Sequence, residues 1–193
     1  MEQQREGIKR ALTPGEVNLA RSVFGSAVFY EKVFVHCDSY LPFGLQNQYM
    51  AMSPNGQLYF RRALYNSNYA NEDPEAQHLF IHEMAHVWQH QRGMWVRTRG
   101  LLSWVVSYQY RLDKPLLRHY SMEQQASLIA DYFVLKKFGM NAFFGLPNRN
   151  YIGIVDRSTG ACQGSCRLSR FMRPVFPAPD SATLLPAGSS FAL

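Results

Sequence analysis

Between Leu79 and Gly93 the chain reads LFIHEMAHVWQHQRG, which sets three histidines and one glutamate in a largely apolar run. His82 and His86 stand four residues apart. On an α-helix that spacing turns the side chains by only about 40° and moves them one turn along the axis, so both imidazoles reach one ion. Glu83 projects between them, about 100° from His82 and about 60° from His86. Its carboxylate reaches a water on that ion without becoming a ligand. This is the physical content of H-E-x-x-H: two neutral imidazoles hold zinc, and the glutamate takes the proton of the zinc-bound water. The flanking Ile81, Met84, Ala85, Val87 and Trp88 are uncharged and helix-compatible. Such a helix is buried, and two histidines with a glutamate buried together demand partners, a demand that a metal meets directly.

A hydrolytic zinc site takes a third protein ligand and leaves a fourth position for water. Asp113, His119, Glu123 and Asp131 are the downstream candidates. Glu123 is the best placed, because it opens the helix SMEQQASLIADYF and can point across at the first helix. The competing reading of Glu123 is an N-terminal carboxylate that only favours the helix dipole. Asp131 lies two turns further on, about 12 Å along the axis, so the two carboxylates do not serve the same ion. Asp131 is therefore an alternative ligand, or the group that holds the outer nitrogen of a ligand histidine. His90, Tyr120 and Tyr132 are candidates for stabilising an oxyanion, and none is singled out. Gln57 to Phe60 is the candidate strand for pairing with a substrate backbone, and an ordinary sheet strand is the equal alternative.

These residues need elements to position them. Thr13-Pro14-Gly15-Glu16 starts a helix that runs to Phe24 and stops at Gly25, with a Thr cap and Glu at the capping-box position. Val33 to His36 reads as a strand. Met50 to Phe60, with Ser53-Pro54-Asn55-Gly56 at its tip, reads as a hairpin. Asn71 to Glu75 opens the metal-bearing helix, which ends near Gly93. Trp95 to Tyr110 is expected to be a mostly buried helix. Ser121 caps the last helix, which runs to Lys137 and closes at Gly139. The expected fold is a single α+β zincin-like domain over residues 1–173. Two helices, Pro74 to Gln91 and Glu123 to Lys137, carry the metal under a small, mostly antiparallel sheet. Residues 174–193, rich in Pro, Ala and Ser, form a tail.

Composition narrows the function classes. A chain of 193 residues with 47% hydrophobic residues builds one real core. The net charge of +6 is scattered apart from Arg167, Arg170 and Arg173, and no nucleic-acid motif accompanies it. The N-terminus MEQQREGIKR lacks the apolar stretch of a signal peptide, and no run is long enough to span a membrane. The protein is expected to be made in the cytoplasm without membrane insertion. Three cysteines are too few for a disulfide framework. Cys162 and Cys166 can pair in an oxidising compartment, and Cys37 reads as a small buried hydrophobe.

The stretches LTPGEVNLARSVFG, LPFGLQNQYMAMSPNGQLYF, HLFIHEMAHVWQHQRG and SMEQQASLIADYFVLKKFG resemble known proteins over most of residues 12–139. The H-E-x-x-H helix followed by a helix bearing glutamate resembles the gluzincin metallopeptidases. More closely, HEMAHVWQHQ with EQQASLIADY resembles the metallopeptidase effector domain carried by some valine-glycine repeat spike proteins of the bacterial type VI secretion system. The resemblance implies a one-zinc peptidase toxin delivered by that system and active in the periplasm of a target cell. It implies a protein or peptide substrate, a cognate immunity protein and a spike or delivery partner. It carries His82, His86 and Glu123 over as ligands and Glu83 as the base. The gluzincin pattern has an acid four residues after the ligand glutamate, whereas here Ser127 fills that place and the acid is Asp131. No spike domain accompanies the motif, so stand-alone cargo, an orphan relative or a separately encoded domain is expected. The rival functions are a non-catalytic, zinc-stabilised binding module of the secretion apparatus or envelope, and a binder of nucleic acid or envelope polymer driven by charge.

Overall fold

The computed structural model describes residues 6–94, 108–147 and 150–151. The order of elements is β1 (Ile8–Ala11), α1 (Pro14–Phe24), β2 (Phe34–Cys37), β3 (Ala51–Met52), β4 (Leu58–Phe60), α2 (Pro74–Gln91) and α3 (Met122–Gly145), joined by short 3-10 turns. The Trp95–Ser107 part of the expected middle helix lies outside the described residues. So do Cys162, Cys166, the Arg167–Arg173 cluster, the boundary at residue 173 and the tail.

The three helices begin where local chemistry predicts. Thr13 Oγ1 accepts the Glu16 amide while the Glu16 carboxylate accepts the Thr13 amide, a complete capping box. Glu16 is fully buried, where it also accepts a two-pronged pair from Arg10 at 2.8 Å and the Tyr69 amide at 3.0 Å. One capping residue thereby ties β1, α1 and the approach to α2 together. Asp73 caps α2 by accepting the Ala76 amide. Ser121 caps α3, and Gln124 completes a second capping box. Gly139 ends the regular part of α3: its φ of 82° breaks the helical path, and a last short stretch continues to Gly145.

The sheet order is β1-β2-β4-β3. β1 and β3 pair antiparallel with their neighbours, and β2 pairs parallel with β4. The sheet is therefore mixed rather than simply antiparallel, and β1 is a strand that the sequence pattern does not announce. Of its residues Ile-Lys-Arg-Ala only Ile8 favours a strand, and pairing with β2 and the Arg10–Glu16 bridge hold it. The β3–β4 hairpin forms as expected. Its turn residue Gly56 has φ 77°, and a Cβ there would lie 2.5 Å from His90 Cδ2, so glycine lets the tip close onto α2.

The core lies between the sheet and the helices. Leu58 and Phe60 from β4, Phe80, Ile81 and Met84 from α2, and Leu128, Ile129 and Val134 from α3 belong to one buried cluster. Contacts of Gln77 with Lys137, His78 with Asp131, His86 with Glu123 and Gln89 with Met122 set α2 and α3 antiparallel. Cys37 is a free, fully buried thiol, as its strand position implies. Tyr108 to Tyr110 are not helical, which shortens the expected middle helix at that end; Tyr110 instead bridges to Tyr151. No helix among the described residues is long and apolar enough to cross a membrane.

Candidate metal centre

The antiparallel packing of α2 on α3 brings the first turn of α3 against the middle of α2. Glu123 Oε2 lies 3.5 Å from His82 Nε2 and 3.1 Å from His86 Nε2. The two imidazoles are 5.0 Å apart between centroids and inclined at 77°. One ligand atom from each of the three residues falls within 4.8 Å of the other two. Two imidazole nitrogens and one carboxylate oxygen, all pointing at one small volume, are the donor set of a catalytic zinc site with a position left over. The residues thus fit a zinc ion on chemistry and on spacing.

Gln89 orients one candidate ligand. Its Oε1 meets His86 Nδ1 at 2.9 Å, and its Nε2 donates to Met122 O and to Gln125 Oε1. Because both groups on its Nε2 side are acceptors, Gln89 Oε1 must accept, so His86 carries its proton on Nδ1 and turns Nε2 toward Glu123. Gln89 is fully buried. It was missed in the sequence, although it stands three residues after the candidate ligand His86 and one turn along the same face.

Glu83 is buried beside the candidate ligands, and Ser53 Oγ at the hairpin tip donates to its Oε2 at 2.7 Å. Oε1 has no hydrogen-bond partner among the described residues. The hairpin thus fixes one oxygen of the candidate base and leaves the other to the cleft. That contact joins residues thirty positions apart, and no local pattern announces it.

Charge couples the triad. Burial by itself disfavours a cationic His86, but the neighbouring Glu123 carboxylate outweighs it and raises the His86 pKa to about 9. Burial likewise opposes the Glu123 charge, yet His86 and His82 hold that carboxyl far below its ordinary range. In the metal-free protein a proton on His86 supplies the positive charge that a bound cation would otherwise bring.

The other candidates fall elsewhere. Asp131 is fully buried, but it holds neither His82 nor His86: its oxygens take His78 Nε2 at 2.8 Å and Tyr110 OH at 2.8 Å. The reason is the antiparallel crossing, which moves two turns up α3 to two turns back along α2. Asp113 and His119 are exposed and do not join the group formed by His82, His86 and Glu123. Tyr120 OH is occupied by Arg111 O, and Tyr132 lines a separate groove with α1. His90 packs under Gly56. Tyr108, which the sequence did not suggest, lies 6.2 Å from the His82 ring and faces the cleft. β4 is paired on both sides, by β2 and β3, so it cannot accept a substrate strand; the edge strand next to it is β3, and β1 is the opposite edge.

The triad opens into a cleft of about 590 Å³ whose walls include Met52, Leu79 and Leu146. No family model matches this chain. Over 139 residues it is 39% identical to the type VI secretion system spike protein VgrG2b of Pseudomonas aeruginosa, a match covering 67% of this chain. The chain spans about 13% of the length of that spike protein. The solved effector domain of Pseudomonas aeruginosa VgrG2b aligns with a TM-score of 0.59 and 32% identity, over 79% of this chain and 89% of the domain. With nearly all of that domain matched in both sequence and fold, the chain belongs to the family of the VgrG2b effector domain, a type VI spike-associated effector domain.

Proposed function

We propose that this chain is a zinc-dependent peptidase of zincin type that acts as an antibacterial type VI effector in the periplasm of a target cell. The observation that carries the reading is the convergence of His82, His86 and Glu123 within 4.8 Å beside a buried carboxylate, Glu83, with one oxygen turned free. A structural metal has no use for that carboxylate. A zinc ion held by His82, His86 and Glu123 supplies Lewis acidity and a water of lowered pKa.

The chain's own residues do the rest. Gln89 keeps the His86 lone pair directed at the site. Ser53 pins Glu83 Oε2, so Oε1 accepts the proton of the attacking water and passes it to the leaving amine. The free edge of β3, Ala51–Met52, offers backbone groups to an extended peptide lying in the cleft. Apolar walls limit water around the scissile bond. The family supports delivery with a type VI spike partner; protection of the producer by an immunity protein and a protein or peptide substrate are part of the same proposal.

The test combines metal content with activity. The purified chain is expected to hold about one zinc and to hydrolyse an unfolded protein, with hydrolysis lost on chelation and regained with zinc. Glu83→Gln should keep the zinc and lose hydrolysis, and should abolish the toxicity of the chain when a signal sequence exports it to the periplasm. Full toxicity of the Glu83→Gln chain would remove the peptidase reading.

A further inference from the structure

Beyond the triad, the loop that leads from β2 into β3 is built in an unusual way. Among the described residues it displays a row of large apolar side chains: Phe43 is 98% exposed, Leu45 70%, Tyr49 82% and Met50 42%. Isolated exposed hydrophobics are ordinary, but a row of them in one short loop marks an interaction surface. Phe43 also has φ 57° and ψ 22°, and no other described non-glycine residue has positive φ. A bulky residue held in that region costs free energy, which the surrounding contacts must supply.

Those contacts are polar and lie inside. Gln46 is 2% exposed; its Oε1 accepts the Tyr40 amide at 2.8 Å, and its Nε2 donates to Met50 O at 2.7 Å and to Tyr59 O at 3.1 Å. Arg61, also buried, donates to Gly44 O and Gln46 O while Glu6 pairs with its guanidinium. Within the loop Gln46 faces inward while Phe43, Leu45, Tyr49 and Met50 face outward with Asn47 and Gln48, so a polar side chain takes the buried place and the large apolar ones are left exposed. Such a clamp fixes the apolar row before a ligand arrives, which lowers the entropy lost on binding.

Continuity says what binds. Tyr49 and Met50 line the mouth of the cleft, and Met52 and Pro54 carry the apolar track on toward Glu83. The row is therefore the outward extension of the cleft wall beside β3. From Leu41 to Met50 the chain reads LPFGLQNQYM, with no lysine or arginine. An anionic membrane surface would call for basic residues among the apolar ones.

We propose that loop 41–50 is an exosite that grips a bulky apolar segment of a protein substrate, outside the stretch that lies across Glu83. The proposal rests on the peptidase reading for the identity of its occupant. It is a recognition surface and takes no part in the chemistry.

The test uses the full chain and Phe43→Asn with Leu45→Ser, neither of which lines the cleft. Asparagine tolerates positive φ, so the loop backbone is kept; an unchanged melting temperature and zinc content will confirm it. The probe is labelled, reduced and carboxymethylated α-lactalbumin, a permanently unfolded protein. Anisotropy is measured in the Glu83→Gln background, where nothing is cut. The double substitution is expected to weaken binding at least tenfold, about 1.4 kcal/mol. With Glu83 intact, it should raise KM for the same probe, keep kcat, and leave cleavage of a tetrapeptide, at most about 14 Å long, unchanged. Equal anisotropy with and without the loop substitutions overturns the proposal, as does a failure of the probe to bind the loop-intact chain. Loop-dependent binding to phosphatidylethanolamine–phosphatidylglycerol vesicles, or loop-dependent dimerisation, in place of probe binding also overturns it. Loop-dependent binding without any hydrolysis would keep the loop as a docking surface for an apolar protein segment but remove the peptidase reading and with it the occupant's role as substrate, so the two failures are separable.

Discussion

The coupling between His86 and Glu123 predicts how zinc affinity depends on pH. Without metal, the His86 pKa is raised to about 9 from an ordinary value of 6.5. At pH 7 the protonated form then outnumbers the neutral form by about 100 to 1, and a metal must displace that proton to use Nε2. Displacement costs about 2.7 kcal/mol at pH 7, from two pH units at about 1.36 kcal/mol each. The apparent zinc affinity should climb about tenfold per pH unit between pH 7 and 9 and level off above 9. Glu123→Gln removes the charge that raises His86. Burial, the largest single influence, is then opposed only by Glu83 and Gln89, so the His86 pKa should fall and this slope should shrink, even though the affinity at pH 9 falls with the lost carboxylate. Competition for zinc against a chromophoric chelator across this range measures the slope, and nitrogen NMR of the metal-free imidazoles locates the proton. A flat affinity profile in the unsubstituted chain, or His86 titrating near 6.5, would refute the reasoning.

The same shift acts on folding. His86 binds its proton more tightly folded than unfolded, so the stabilisation is fully present below about pH 6.5 and is lost as pH rises through about 9; metal-free melting temperature should fall over that window. Ser53→Ala should keep the zinc but lower kcat about tenfold, since removing one partner of a buried hydrogen bond costs about 1–3 kcal/mol, and Ser53→Thr should restore most of it. Gln89→Leu leaves His86 Nδ1 without its acceptor and should weaken zinc binding about 10–100-fold, read by the same chelator competition. Gly56→Ala forces a Cβ into the His90 ring at positive φ and should cost at least about 1 kcal/mol in chemical denaturation, partly recovered when His90 is also changed to Ala.

What the sequence determined by itself is what depends on near neighbours along the chain. A helix repeats every 3.6 residues wherever it sits, so His82, Glu83 and His86 share a face before anything packs on them. Capping is equally local, which is why Thr13 with Glu16, and Ser121, mark the starts of their helices. The hairpin tip at Ser53–Gly56 belongs to the same class.

Tertiary structure decided whatever depends on how one element crosses another. Glu123 and Asp131 lie on the same helix, and only the antiparallel course of α3 against α2 sends the first to His82 and His86 and the second to His78. Strand order made β3 an edge and enclosed β4, because a strand's own residues do not say how many neighbours it acquires. The Ser53–Glu83 contact and the inward-facing Gln46 and Arg61 have the same origin: a buried polar group takes whatever partner folding brings within about 3 Å, and distance along the chain does not enter.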